Sequence, residues 1–222
     1  MPEGPEIRLA ADELSAALAG KVATEVCFAF DHLKRYEPQL SGMVVTAVTS
    51  RGKAMLTQFA NDITIYSHNQ LYGKWLVRDA YDYPDTNWQL RLAIHNKEKS
   101  ALLYSASDIE VWPTAELSEH PFLKKLGPDL LDEATTIEQV AARFVDNKYR
   151  RRGLVSLLLD QGFLGGLGNY LRSEALYAAR VHPTLRPMDC TPEQIDGLAK
   201  ATVELTRQSY KHGGVTNDLD LV

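Results

Sequence analysis

The first chemistry that the sequence offers lies at its N-terminus, Met1-Pro2-Glu3. Methionine before a small residue is normally removed, which would give Pro2 a secondary amine beside the Glu3 carboxylate. A neutral amine condenses with an aldehyde to an imine-type adduct, which acts as an electron sink for elimination. Burial and the positive end of a following helix would both favour the neutral amine. If Met1 is retained, the Pro2 nitrogen is an amide, and a Met-Pro start is also common for processing reasons alone.

A second candidate is the glycine-rich segment Gly165-Gly166-Leu167-Gly168-Asn169, which opens a helical pattern. N–H groups at a helix N-terminus and the helix dipole attract an anion, and Asn169 adds a side-chain donor. Phosphate is the expected ligand, and a tight turn between packed helices is the alternative. The basic run Lys148-Tyr149-Arg150-Arg151-Arg152 favours a DNA backbone, although such a run is also typical of an ordinary solvated surface.

Two predicted turns carry further candidates. Gln70-Leu71-Tyr72-Gly73 places two apolar side chains at a turn. A protein that extrudes a base from duplex DNA must fill the space left behind, and leucine and tyrosine beside a glutamine suit that task. The alternative is a strand end that faces the core. Arg51-Gly52-Lys53 places a lysine at a hairpin tip, where lysine is usually only solvated.

The hydrophobic pattern predicts the scaffold for these residues. Apolar positions at helical spacing follow Pro5, and Gly20 ends that helix. Short runs rich in Val, Thr, Tyr and Phe then predict antiparallel strands as far as Trp112. We therefore predict an α+β chain, with an N-terminal helix and antiparallel β-sandwich domain over residues 1–120, a linker over 121–128 and an all-α domain over 129–222.

Three features define the predicted helices of the second domain. Thr135 with Glu138 suggests a capping box, and a further helix is expected from Leu154 to Gln161. The segment Thr191-Pro192-Glu193-Gln194 combines a cap, a first-turn proline and a closing glutamine, so it predicts the start of the last helix.

Composition limits the class of protein. The chain has 222 residues, of which 45% are hydrophobic and 24% are charged. This balance is typical of a globular protein and argues against a disordered chain or a coiled coil. The sequence contains no apolar run of about 18 residues and no signal peptide, so we expect a cytosolic protein that does not bind a membrane. Cys27 and Cys190 predict two buried reduced thiols rather than a disulfide or a metal site. The net charge of -5 argues mildly against nonspecific nucleic-acid binding, although positive charge clusters locally.

Five segments together resemble the formamidopyrimidine-DNA glycosylase and endonuclease VIII family, and the resemblance spans the whole sequence. They are Pro2-Glu3-Gly4-Pro5-Glu6, Arg51-Gly52-Lys53, Gln70-Leu71-Tyr72-Gly73, Gly127-Pro128-Asp129 and Gly166-Leu167-Gly168-Asn169-Tyr170. The Gln-Leu-Tyr segment looks like the endonuclease VIII branch. The resemblance implies a helix-two-turns-helix second domain. It also implies a repair glycosylase and abasic-site lyase for oxidised bases, pyrimidines favoured, acting by β- and δ-elimination.

The resemblance also implies roles for individual residues. Pro2 would attack the deoxyribose C1′, Glu3 would be the general acid/base, and Lys53 would contact DNA near the lesion and assist proton transfer. The other implied positions bind DNA or support the site: Gln70, Leu71 and Tyr72 fill the void, Asn169 binds phosphate, Lys125 reaches DNA from the domain junction, and Glu6 and Glu174 lie near the active site.

The sequence departs from the branch in one respect, because the family's C-terminal four-cysteine zinc finger does not occur up to Val222. We expect no cofactor within these residues, and one structural zinc only if such a finger follows. The expected partner is damaged double-stranded DNA, bound by a monomer in the interior of a bacterial cell. Two alternatives stay open: a noncatalytic damaged-DNA-binding protein of the same fold and, less favoured, an unrelated enzyme with an N-terminal proline base, such as a tautomerase.

Overall fold

Residues 2–217 are described by a computed structural model, in which they form two units with separate hydrophobic cores. One unit contains Pro2 and Ile7–Leu123. The other contains Glu3–Glu6 and the described residues from Lys124 onward. No helix within residues 2–217 is both long and apolar enough to cross a membrane.

The first unit combines one long helix with two short helices and a series of antiparallel strands. Its helices are α1 (Gly4–Leu18), of which the first three residues belong to the other unit, α2 (Asp31–Lys34) and α3 (Glu37–Leu40). Its strands are β1 (Glu25–Phe28), β2 (Val45–Arg51), β3 (Ala54–Phe59), β4 (Ile63–His68), β5 (Lys74–Asp79), β6 (Leu90–His95), β7 (Lys99–Tyr104) and β8 (Asp108–Pro113). A 3-10 helix, Thr114–Glu119, follows β8.

The strands form two four-stranded sheets, in the orders β1-β6-β7-β5 and β2-β3-β4-β8. Alternate side chains of both sheets and the apolar face of α1 enter one core, as expected when each strand has one buried face. Its members include Ile7, Leu14 and Leu18 from α1, Val26, Trp75, Leu92, Ile94 and Leu103 from the first sheet, and Val48, Met55, Phe59, Ile65 and Ile109 from the second. The predicted N-terminal helix and antiparallel β-sandwich are confirmed.

The β2–β3 hairpin forms where the sequence predicts it. Arg51 pairs with Ala54, which leaves the two-residue loop Gly52-Lys53. Gly52 has a φ of 58°, which glycine adopts without steric cost. The hairpin therefore fixes the backbone position of Lys53.

The second unit is helical. After α4 (Pro121–Lys125), which crosses the division between the units, it contains α5 (Ile137–Val145), α6 (Leu154–Leu157), α7 (Asn169–Ala178), a 3-10 turn (Pro187–Asp189) and α8 (Pro192–Lys211). Their apolar faces form its core, which includes Leu130, Val140, Phe144, Leu157, Phe163, Leu167, Leu171, Leu198 and Val203. Among its described residues there is no strand, only the isolated bridge between Asp129 and Gly165. The predicted all-α region is confirmed.

One of the two predicted capping boxes differs from the prediction by one residue. The capping box of α5 uses Thr136 and Gln139, one residue later than predicted, because the Thr135 hydroxyl donates to the Asp129 carbonyl. The capping box of α8, Thr191 with Gln194, is confirmed.

Helix α6 ends at Leu157 and does not reach Gln161. The Asp160 side chain accepts the N–H of Gly162 at 2.8 Å, and this local bond competes with continued helix. The cysteines differ as well: Cys27 and Cys190 are free, but each is only half-buried. Burial, with Glu25 nearby, raises the pKa of Cys27 to about 11.

Candidate active site

The Glu3 carboxylate is bound at the N-terminus of α7. Its Oε2 accepts the N–H of Gly168 at 2.7 Å and that of Leu171 at 3.3 Å. Its Oε1 accepts the N–H of Tyr170 at 2.8 Å. Gly168 has no side chain with which to cap α7, so Glu3 supplies the cap from elsewhere in the chain. The helix dipole and three donors thus compensate a carboxylate that is only 2% exposed.

Glycine is required where these segments approach each other. A Cβ on Gly168 would lie 2.2 Å from Glu3 Cδ, so any larger residue would displace the carboxylate. Gly4 donates its N–H to the Gly166 carbonyl at 2.8 Å, and a Cβ on Gly4 would lie 2.9 Å from Gly166 Cα. The glycine-rich turn therefore receives the N-terminal segment.

A second set of bonds joins Glu6 to α7 and α8. The N–H of Glu3 donates to Glu6 Oε2 at 2.8 Å, as in the half of a capping box in which the third helical residue bonds back to the cap. The Tyr170 hydroxyl donates to Glu6 Oε1 at 2.8 Å and lies 2.8 Å from Ser209 Oγ. Burial first, with the Glu6 carboxylate adding to it, raises the pKa of Tyr170 well above its ordinary value.

The anion at this turn is therefore a side chain of the chain itself. Within the predicted phosphate-binding run, the N–H of Gly168 is not available to phosphate, because it donates to Glu3, as do the N–H groups of Tyr170 and Leu171 that follow the run. The Asn169 side chain is exposed, and its Oδ1 accepts from Arg172 at 2.6 Å. Phosphate binding by Asn169 stays a prediction.

In the first unit, Lys53 is 7% exposed, so this hairpin lysine is not an ordinary solvated one. Its charge acts on His68, at the end of β4. Burial, and then the charge of Lys53, lowers the pKa of His68. The ring of His68 contacts Phe122 edge-on, with 5.5 Å between the centroids. Neutral His68 accepts the Gln70 N–H at its Nδ1, at 3.0 Å.

The β4–β5 turn presents apolar side chains. Gln70 has a φ of 52°, and its Oε1 accepts from Ser107 Oγ at 2.7 Å. Leu71 is 53% exposed and Tyr72 is 77% exposed. The turn closes at Gly73, where a Cβ would lie 2.4 Å from the Asn69 carbonyl oxygen. Leu71 and Tyr72 are thus exposed at a turn, and the core-facing alternative is wrong.

The remaining predicted residues are Pro2, Lys125 and Glu174. Pro2 is half-buried and joined to Glu3 by a peptide bond. Lys125 is exposed at the last residue of α4, and Glu174 is half-buried on α7. Hydrogen bonds thus bring Glu3 and Glu6 to the start of α7 in the second unit.

Sequence reasoning assigned no role to His68, Ser107, the Tyr170 hydroxyl or Ser209. Tyr170 follows Asn169 directly, so the motif contained it. Ser209 lies 39 residues after Tyr170, in the last turn of α8, and no local signal connects the two.

The described residues offer no metal site. No group of three or more His, Cys, Asp or Glu side chains among residues 2–217 could hold a metal ion.

Comparison with known proteins identifies two family domains in the chain. Residues 1–106 match the formamidopyrimidine-DNA glycosylase N-terminal domain, and residues 126–219 match the formamidopyrimidine-DNA glycosylase H2TH domain. A crystal structure of the Lactococcus lactis glycosylase bound non-covalently to AP-site DNA superposes with a TM-score of 0.83 at 21% identity, over 96% of this chain and 82% of that one. Another, of the wild-type enzyme with DNA containing an oxidised pyrimidine, has a TM-score of 0.84 at 20% identity, over 99% and 86%. The chain has the two-domain fold of these glycosylases.

The similarity to curated proteins is stronger. Endonuclease 8 of Salmonella arizonae is 49% identical over 218 residues, which cover 98% of this chain and 83% of that protein. Endonuclease 8 of Escherichia coli strain 55989 is 50% identical over 218 residues, which again cover 98% of this chain and 83% of that protein. The chain belongs to the formamidopyrimidine-DNA glycosylase and endonuclease VIII family.

Proposed function

We propose that this protein is a base-excision repair enzyme, a DNA glycosylase and AP lyase that removes oxidised bases, with pyrimidines favoured. The observation that carries the proposal is the Glu3 carboxylate, held by three N–H donors directly after Pro2. The relatives at about half identity are named Endonuclease 8, which supports the same activity and disfavours the noncatalytic alternative. None of the relatives named above is a tautomerase.

The proposed nucleophile is the neutral amine of Pro2, after removal of Met1. Its nitrogen bonds to the deoxyribose C1′ while the bond from C1′ to the base breaks, and the base leaves with that electron pair and takes up a proton. The attached nitrogen then gives up its proton, and its lone pair forms a double bond to C1′ as the bond from C1′ to the ring oxygen O4′ breaks and that oxygen takes up a proton. The resulting iminium ion withdraws electrons from the opened sugar. Loss of the C2′ proton then expels the 3′ phosphate, and a second elimination expels the 5′ phosphate.

Proton transfer in these steps is assigned to Glu3. A general acid/base must lie within hydrogen-bond reach of the proton that it moves, so its position must be fixed. The bonds to Gly168, Tyr170 and Leu171 hold both carboxylate oxygens. Lys53, a buried cation on the hairpin, is assigned to the DNA near the lesion.

The proposed partner is damaged double-stranded DNA, bound by a monomer. Leu71 and Tyr72 would enter the space of the extruded base, with Gln70 as hydrogen-bonding neighbour. Asn169 would bind phosphate and the cationic Lys125 would reach the DNA, and both side chains are exposed. Glu174 is kept as a supporting carboxylate on α7.

Three further proposals concern the cell and the chain. The protein would act in the cytoplasm of a bacterium, with the chromosome. No membrane has a role in the reaction. A structural zinc is proposed only for ligands outside these residues, since the described ones do not provide a site.

Base excision and strand cleavage test the proposal on a duplex with a single thymine glycol, against an undamaged duplex. Mass spectrometry first establishes that the chain begins at Pro2. We expect lesion-dependent cleavage that leaves phosphate at both ends of the gap. Glu3→Gln should lower the rate of base excision by about 10²-fold or more. Glu13→Gln is the matched control, because Glu13 is exposed on α1. Binding of the lesion duplex without cleavage would instead favour the noncatalytic protein.

A further inference from the structure

We propose that Tyr170 and Ser209 are positioning residues, which act through Glu6 to orient the peptide that carries the Pro2 amine. This inference rests on the proposed function. It adds two residues for which that function gave no role.

The direction of each hydrogen bond follows from the groups involved. An ionised carboxylate only accepts, so the Tyr170 hydroxyl donates to Glu6 Oε1 at 2.8 Å. The Tyr170 oxygen is then left to accept, and Ser209 Oγ donates to it at 2.8 Å. Ser209 is fully buried. These bonds form one ordered chain, from Ser209 through Tyr170 to Glu6.

The last bond of this chain reaches the nucleophile's own peptide. Glu6 Oε2 accepts the N–H of Glu3 at 2.8 Å, and that nitrogen belongs to the peptide bond between Pro2 and Glu3. Because the pyrrolidine ring contains the amine nitrogen, only the Cα–C bond of Pro2 can rotate between the amine and this peptide plane. Fixing the plane therefore restricts the direction of the amine lone pair.

Tyr170 also holds the proposed acid/base. Its backbone N–H donates to Glu3 Oε1 at 2.8 Å, while its hydroxyl donates to Glu6. One residue thus connects to the carboxylate of Glu3 through its main chain and to the Pro2–Glu3 peptide through its side chain. Removing only the hydroxyl should disturb the second connection and leave the first.

The test uses the full chain, with Tyr170→Phe and Ser209→Ala as variants. Tyr177→Phe is the matched control, because it makes the same change on the same helix where the side chain is 84% exposed. The rate of borohydride-trapped adduct formation is measured in a single turnover on a duplex with one abasic site. We expect Tyr170→Phe to slow trapping by about 10- to 100-fold, the equivalent of one hydrogen bond to a charged group. Ser209→Ala should slow it less, and Tyr177→Phe should match the wild type.

Two further readouts separate positioning from simple loss of fold. The affinity for a duplex with an unreactive tetrahydrofuran site should stay within about twofold, because neither hydroxyl is assigned to DNA. In a double-mutant cycle, Tyr170→Phe should add little to Glu6→Gln, since both break the same chain of bonds.

Equal trapping rates for Tyr170→Phe and Tyr177→Phe would overturn the inference, as would full additivity in the cycle. If Tyr170→Phe does not fold, Ser209→Ala decides, and a wild-type rate in that variant would overturn it. Absence of any adduct from the wild-type chain beginning at Pro2 would instead contradict the proposed function itself.

Discussion

The requirement for glycine at position 168 gives the sharpest stability prediction. Gly168 has a φ of -133°, which alanine also adopts, so Gly168→Ala tests the steric contact and not backbone strain. The added Cβ would lie 2.2 Å from Glu3 Cδ, far inside any van der Waals contact. The Glu3 carboxylate must therefore leave the N-terminus of α7.

The cost follows from the bonds that are lost. The two short bonds, from Gly168 and Tyr170 at 2.7 and 2.8 Å, are hydrogen bonds to a charged group. Each contributes about 1.5–3 kcal/mol, so their loss should lower the free energy of unfolding by about 3–6 kcal/mol. Base excision should also fall by about 10²-fold or more, because the proposed acid/base is displaced.

Urea unfolding and single-turnover base excision measure the two effects. Gly197→Ala is the control, because its Cβ would meet nothing within 4 Å. In the interior of α8 that change should stabilise the protein by about 0.5–1 kcal/mol. If Gly168→Ala unfolds and reacts like Gly197→Ala, the binding of Glu3 at α7 does not have the energetic role assigned to it.

The other predictions concern the first unit. Leu71→Ala and Tyr72→Ala should leave the free energy of unfolding unchanged within about 0.5 kcal/mol, since both side chains are exposed, yet slow base excision from duplex DNA. An equal slowing on single-stranded substrate would contradict a void-filling role. His68→Ala should slow base excision, because the Gln70 N–H loses its acceptor. His68→Asn should keep a rate near that of the wild type, because asparagine can also accept the N–H two residues later. Burial, and then Lys53, lowers the pKa of His68 from 6.5, so its contribution to stability is complete above pH 6.5 and is lost as the pH falls through the folded-state pKa. The free energy of unfolding should therefore fall on acidification, and less steeply in His68→Asn; parallel curves would refute this assignment.

Much of the fold could be predicted from local patterns. The helical spacing after Pro5, the turn at Gly52 and the capping box at Thr191 each depend on residues close together in the chain. One error arose where a side chain bonded to a residue outside the local motif. Thr135 was assigned a cap because its hydroxyl bond to Asp129 has no signature in the sequence.

The site could be predicted as separate motifs but not as a network. The pattern suggested an anion at the glycine-rich turn, and the structure supplies that anion from Glu3, which is 165 residues from Gly168. Ser209 was missed for the same reason, since only folding brings it to Tyr170. The burial of Lys53 was not predicted either, because a lysine in a hairpin loop is usually exposed.

The central claim is that the amine of Pro2 attacks the sugar, and the most direct test is to locate the covalent bond. The chain beginning at Pro2 is trapped with borohydride on a duplex containing one abasic site, digested, and mapped by mass spectrometry. Attack by Pro2 predicts the DNA-derived mass on the N-terminal peptide, attached to the nitrogen of Pro2. An adduct on Lys53, or no adduct from a chain shown to begin at Pro2, would contradict it.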